Sequence, residues 1–112
     1  CFGDTKIAEK ILETTDVAQI KALGRKVSNY NETIWNGKRQ IVVYNGLCAK
    51  FQNPKLKSEL KATGDAVLAE CAVRDCIWGI GLSMTDSKRL EMEKWRGQNL
   101  LGFALMMVRD EI

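Results

Sequence analysis

The stretch Trp95-Arg96-Gly97-Gln98-Asn99-Leu100-Leu101-Gly102-Phe103-Ala104-Leu105-Met106-Met107-Val108-Arg109 decides the fold. From Leu100 to Val108 no side chain is polar, so a helix built there has no ready-made solvent face. The expectation is a last helix that starts at Gly97 or Asn99, runs to the chain end and is enclosed by the other helices of a small bundle. On that reading Leu105→Asp unfolds the domain by burying an unpaired charge. The apolar run is far too short to span a bilayer. Arg109 falls near the helix C-terminus, where a cation is favourable.

Upstream, capping residues mark further helices. Asp4 precedes Ile7, Ile11 and Leu12 at helical spacing, giving a helix to about Thr14. Asp16 precedes Val17, Ile20, Leu23 and Val27, and Asn29 to Asn31 breaks that second helix. Thr33 to Gln52 carries Trp35, Val42, Val43, Leu47 and Phe51 at roughly helical intervals. The run Ile41-Val42-Val43-Tyr44 would also suit a strand, but the longer period favours a helix. Asn53-Pro54 is an N-cap followed by proline at the first helical position, opening a short helix that buries Leu56 and Leu60. Gly64 supplies its left-handed stop. Residues Ala66 to Val73 read as a short strand or extended strip with Leu68, Glu70 and Ala72 on one side. Thr85 to Lys94 reads as a loop. The fold class is therefore mostly α, one domain over residues 1–112, with a buried C-terminal helix and little or no β-sheet.

Composition narrows the chemistry. The 112 residues are 46% hydrophobic and carry a net charge of +3, which fits a globular chain and shows no basic tract of the kind that binds nucleic acid. There is no histidine, so Ser-His-Asp and Cys-His machinery and mixed Cys/His zinc sites cannot be built from this chain. The four cysteines form no C-x-x-C pair and read as reduced thiols of a cytoplasmic protein. No signal-peptide pattern opens the chain. Acid–base work falls to carboxylates, lysine, tyrosine, cysteine or water they position.

Several residues could carry such work. Glu70 lies between Ala69 and Cys71, apolar company that would disfavour its charged form; the alternative is an exposed glutamate on an edge strip. Asp75 leads into Cys76-Ile77-Trp78-Gly79-Ile80-Gly81, where it could cap a turn, hold a ribose hydroxyl or activate water. Trp78, beside Gly79, could stack on a base or simply fill the core. Gly97-Gln98-Asn99 would leave backbone N–H groups bare for a phosphate, with Asn99 as N-cap. Lys50, next to Phe51, could act as an amine nucleophile or stand as a surface lysine.

Taken together, Trp35 with Lys50-Phe51 further on, L-x-x-x-L-x-x-T-G-D ending at Asp65, V-L-A-E ending at Glu70, D-x-x-W-G-I-G from Asp75 to Gly81, and W-x-G-x-N-L-L-G-x-A-L-M-x-V-R from Trp95 to Arg109 resemble the NADAR family of YbiA-like proteins. The resemblance covers essentially the whole chain, in order. It implies a mostly helical fold and N-glycosidase activity on the ribose C1–N bond, in phosphorylated riboflavin-biosynthesis intermediates or in ADP-ribosylated guanine. The implied partners are thus small ribosyl-phosphate or ADP-ribosyl substrates, with nucleic acid involved only as an ADP-ribosylated substrate and no membrane. It carries catalytic roles onto Lys50, Glu70 and Asp75 and substrate binding onto Trp78, Gly79 and Asn99, with no metal or other cofactor required. It also implies a further N-terminal portion bearing an S-x-E-[HQ] motif, which this sequence lacks. That departure leaves open a domain that binds ADP-ribose or a nucleotide without cleaving it, and one that self-associates.

Overall fold

The computed structural model describes all residues 1–112. It contains five α-helices, two short 3-10 turns and no strand: α1 (Thr5–Glu13), α2 (Val17–Gly24), α3 (Glu32–Lys50), α4 (Pro54–Ala62), 3-10 turns over Ser87–Leu90 and Met92–Lys94, and α5 (Leu100–Glu111). The chain divides into two compact units, Cys1–Lys38 and Arg39–Ile112, with the division falling inside α3. No helix is long and apolar enough to cross a membrane.

In the first unit α1 packs on α2. Asp4 does two jobs there. Its Oδ1 accepts from the Ile7 N–H at 3.1 Å, capping α1. Its Oδ2 accepts from both the backbone N–H and the hydroxyl of Ser28, each at 2.9 Å, which ties the start of α1 to the chain beyond α2. These bonds, that from the Ser28 N–H foremost, hold the Asp4 carboxyl below its ordinary value of 3.8. No residue of this unit reaches full burial, so local capping carries much of its order.

The second unit holds the core. Phe51, Leu60 and Val108 form its centre, with Tyr44, Leu47, Cys48, Leu56, Leu68, Leu105 and Ile112 packed around them. The helical period of α3 wins over the strand-like run Ile41–Tyr44, because Tyr44, Leu47, Cys48 and Phe51 then present one continuous stripe to this core. The start of α4 is as expected: Asn53 Oδ1 accepts from Lys55 and Leu56 N–H, Pro54 follows, and Gly64 turns the chain at φ +58°. Arg109 binds more than a helix terminus. Its Nη1 donates to the Thr63 hydroxyl at 2.9 Å and the Ala66 carbonyl at 2.8 Å, fastening the end of α5 to the turn after α4.

Two expectations need correction, and a third, open between a strand and an extended strip, resolves to the strip. Helix α5 is not enclosed: Gly102, Ala104 and Val108 are buried, but Phe103 is 40% and Met107 59% exposed on the opposite face. The apolar run therefore supplies both a core face and an open one, and only the former is anchored against α4. Ala66 to Val73 has no partner strand, as its polar backbone groups meet a side chain and a loop instead. Thr85 to Lys94 is not an irregular loop, since Asp86 caps the first 3-10 turn by accepting from the Lys88 N–H at 2.9 Å.

Two measurements check this account. Val108→Ala removes methyl groups at a fully buried position and should cost about 2 kcal/mol in urea unfolding, whereas Met107→Ala should stay within about 0.5 kcal/mol. Because the folded Asp4 carboxyl is depressed, its contribution is present above pH 3.8 and is lost as pH falls through the lower folded value. The helical signal of α1 should therefore weaken over that acid window, and Asp4→Ala should show the same loss already at neutral pH.

Candidate functional site

The site-bearing region is built on one buried asparagine. Asn99 is fully buried and takes the left-handed conformation at φ 54°, ψ 40°. Its Oδ1 accepts from the Glu70 N–H at 3.0 Å, and its Nδ2 donates to the Leu68 carbonyl at 2.9 Å. The carboxamide therefore reads the extended strip as a neighbouring strand would, one donor and one acceptor two residues apart. Although Asn99 stands at the N-cap position of α5, its side chain makes no capping bond.

From Glu70 the chain loops out and returns. The Glu70 carbonyl accepts from Ala72 N–H at 3.0 Å and from Ile80 N–H at 2.9 Å, closing the loop 70–80. Inside it Asp75 Oδ1 accepts from Ile77 N–H at 3.0 Å and Trp78 N–H at 2.8 Å, the turn-forming role open to aspartate. Gly79 is buried where a Cβ would press on the carbonyls of Asp75 and Glu70, 2.8 and 2.9 Å away. No side chain larger than hydrogen fits there.

The loop is then laced to the segment before α5. Arg96 and Gly97 N–H donate to the Ile80 carbonyl, Gln98 to Cys76, Asn99 to Gly79, Leu100 to Ile77 and Leu101 to Trp78. The backbone donors from Gly97 to Leu101, which the sequence reading left bare for a phosphate, are thus already bonded to the loop. Close approach requires the glycines of the motif: a Cβ on Gly97 would collide with the Gly79 carbonyl, and one on Gly102 with the Leu68 carbonyl and the Asn99 amide.

The carboxylates end up in different settings. Glu70 has its backbone fixed from both sides and its side chain in solvent, so the apolar enclosure read from Ala69 and Cys71 is absent. Asp75 is half-buried. Trp78 is half-buried, with its N–H on Asp75 and its carbonyl on Leu101. Lys50 is exposed at the end of α3, its Nζ 5.6 Å from the centroid of the Phe51 ring. No hydrogen bond or ion pair joins Lys50, Glu70 and Asp75 to one another.

A groove of about 380 Å³ runs along the other side of the extended strip, lined by Val67, Ala69, Cys71, Arg89, Leu90, Met92 and Trp95. Sequence reasoning missed it, because Thr85 to Lys94 carries no periodic signal. Only the spacing of Val67, Ala69 and Cys71, alternate to Leu68 and Glu70, could have hinted at a second face.

The architecture is that of a mostly helical domain in which an acid-bearing loop is clasped to the start of the last helix by a buried asparagine. The chain belongs to the NADAR family, whose domain it matches over residues 1–112. It is 42% identical over 111 residues to "N-glycosidase R617" of Acanthamoeba polyphaga mimivirus, covering 98% of this chain and 65% of that protein. It is 35% identical over 112 residues to "Riboflavin biosynthesis protein VVA0006" of Vibrio vulnificus, covering 99% of this chain and 28% of that protein. It is 30% identical over 112 residues to "N-glycosidase YbiA" of Escherichia coli, covering 99% of this chain and 63% of that protein. The chain thus spans less than two thirds of the length of each.

The clasp makes a sharp prediction. Asn99→Gly keeps the left-handed backbone but leaves the Leu68 carbonyl and Glu70 N–H without partners, and should lose about 3 kcal/mol in denaturant unfolding. A loss under about 0.5 kcal/mol would show that Asn99 matters for its backbone angle alone.

Proposed function

We propose that this chain carries an N-glycosidase site that hydrolyses the bond between ribose C1 and a base nitrogen. The observation that carries the proposal is the clasped loop itself. In a domain whose relatives are named N-glycosidases, Glu70 is offered to solvent from a backbone held by Asn99 and Ile80, while Asp75 sits on the same loop. Rigid backbone beneath a solvent-facing acid is what a positioned proton donor needs.

The chemistry follows from the bond. As C1–N lengthens, positive charge develops on C1 and the ring oxygen, and a nearby carboxylate lowers its energy. Glu70 is the acid or base: it protonates the departing nitrogen or takes the proton from the attacking water. The water oxygen bonds to C1, and its proton ends on the released base. Asp75, with Oδ1 engaged by the loop, turns Oδ2 to the developing charge. Lys50, standing in solvent over the Phe51 ring, is suited to hold the sugar's phosphate; its other assigned role is amine attack on the ring-opened sugar. Trp78 and Gly79 form the loop wall, and Asn99 acts through the backbone of Glu70. The substrates that fit are a phosphoribosylated aminopyrimidine or an ADP-ribosylated guanine.

A second reading is favoured by the absence of any bond among Lys50, Glu70 and Asp75: the domain holds ADP-ribose or a nucleotide without cleaving it. Release of free base separates the two. With both substrates supplied to the chain, Glu70→Gln should lower kcat roughly 10²- to 10⁴-fold. Asp75→Asn, whose amide oxygen can still accept from Ile77 and Trp78, should lower it while leaving the unfolding midpoint in place. ADP-ribose binding by calorimetry with no base released would establish the binding reading instead.

A further inference from the structure

One edge of the extended strip is unpaired. In an extended chain the N–H and C=O of a residue point to one edge, and those of the next residue to the other. Leu68 and Glu70 face Asn99 and Ile80, which bond the Leu68 carbonyl and both backbone polar groups of Glu70. Val67 and Ala69 therefore face away, and neither their N–H nor their C=O groups have a partner in the chain. Val67 is 52% exposed, so this edge stands open. From Ala66 to Ala72 there is no proline or lysine, residues that commonly block pairing at a free edge. The one charge there, Glu70, projects to the face opposite Ala69.

The groove lies on the face of Val67 and Ala69. Cys71 continues that wall, and Arg89, Leu90, Met92 and Trp95 complete the lining. Trp95 Nε1 donates to the Arg89 carbonyl at 2.8 Å, which fixes the indole against the first 3-10 turn. Arg89 Nη1 donates to the Asp86 carbonyl at 3.0 Å, and the remaining N–H donors of the guanidinium make no other hydrogen bond or ion pair. The lining carries this one cation and no carboxylate.

An open backbone edge suits an extended polypeptide, which repeats donor and acceptor at the spacing of a strand. The groove beside it takes alternate side chains of that strand, and the Arg89 fork selects a carboxylate among them. We propose that the Val67–Ala69 edge is a docking site for an extended acidic peptide of another protein, which adds a strand to the strip, lays an apolar side chain on Met92 and Trp95 and sets a carboxylate on Arg89. A second copy of this chain fits less well: strip-to-strip pairing would bring two Arg89 grooves together in a chain whose net charge is already +3. The site stands apart from the N-glycosidase reading, and a strand docked there leaves the Glu70 side chain free.

The test uses acetylated, amidated hexapeptides in which threonine alternates with leucine, one aspartate taking each leucine position in turn, and counterparts with lysine for the aspartate. Binding to the chain is measured by calorimetry, and backbone amide exchange by NMR. Expected is that at least one aspartate peptide binds, about tenfold or more tighter than its lysine counterpart. Methylated on alternate amide nitrogens, the two phases of that peptide should differ by a similar factor, since only one phase blocks bonds to the strip. Bound peptide should slow exchange at the Ala69 amide and alkylation of Cys71, and leave the Glu70 amide, already bonded to Asn99, as it was. Arg89→Gln should erase the preference for aspartate over lysine while the peptide still protects Ala69. Absence of binding, equal affinity for aspartate and lysine peptides, equal affinity for the two methylated phases, or binding without protection of Ala69 would each overturn the proposal. So would protection of Ala69 that rises with protein concentration and no peptide present, which would give the edge to a second copy.

Discussion

A single carboxamide holds the second unit's polar architecture together. The strip from Ala66 to Ala72 has no partner strand, so its backbone groups need partners from elsewhere. Asn99 supplies one acceptor and one donor from a fully buried position, to Glu70 N–H and Leu68 C=O. An apolar residue there would leave two polar groups unsatisfied away from water, each costing on the order of 1–3 kcal/mol. The left-handed backbone at Asn99 is a conformation that asparagine tolerates better than most side chains. Gly97 and Gly102 flank it because the loop and the strip approach too closely for a Cβ. The N-L-L-G run is thus a packing specification as much as a helix start.

That constraint explains which parts of the fold were legible in the sequence. Asp4, Asp16 and Asn53 announced their helices because an N-cap acts on donors two or three residues away, a range that local sequence fully contains. Helix α3 was legible by period. The enclosure of α5 was not, since an unbroken apolar run says that a helix is hydrophobic without saying how many neighbours it has. Phe103 and Met107, four residues apart, occupy the face that packing does not reach. For the same reason the role of Asn99 escaped: its partners lie 29 and 31 residues away, and nothing local marks them.

The candidate site divides along similar lines. Asp75 could be read as a turn former or as a ribose contact, and the loop geometry gives it the first role through Oδ1 without engaging Oδ2 in any hydrogen bond. Glu70 takes the exposed alternative of its two readings, because its sequence neighbours Ala69 and Cys71 project to the other side of an extended strip and line the groove. Apolar flanks bury a residue on a helix face more readily than on a strip, where successive side chains alternate. Lys50 has the exposure of a surface lysine: the neighbouring Phe51 ring goes to the core and the ammonium to solvent.

This arrangement bears on how an acid and an amine from distant parts of the chain could serve one substrate. Lys50 adjoins Phe51, a centre of the core, and Glu70 lies two residues from Leu68, which packs against that same core. Each of these two side chains is exposed, yet each hangs from a backbone anchored by a neighbour in or against the core. Their separation is therefore set by the packing of Phe51, Leu60 and Val108 rather than by contact between them. A ligand that bridged them would find the framework already stiff and would have to order only two side chains, at about 2 kcal/mol or less apiece. Core substitutions that leave every polar residue intact should therefore act on the site by shifting these two anchors relative to each other, a coupling that the sequence separation of Lys50 and Glu70 conceals.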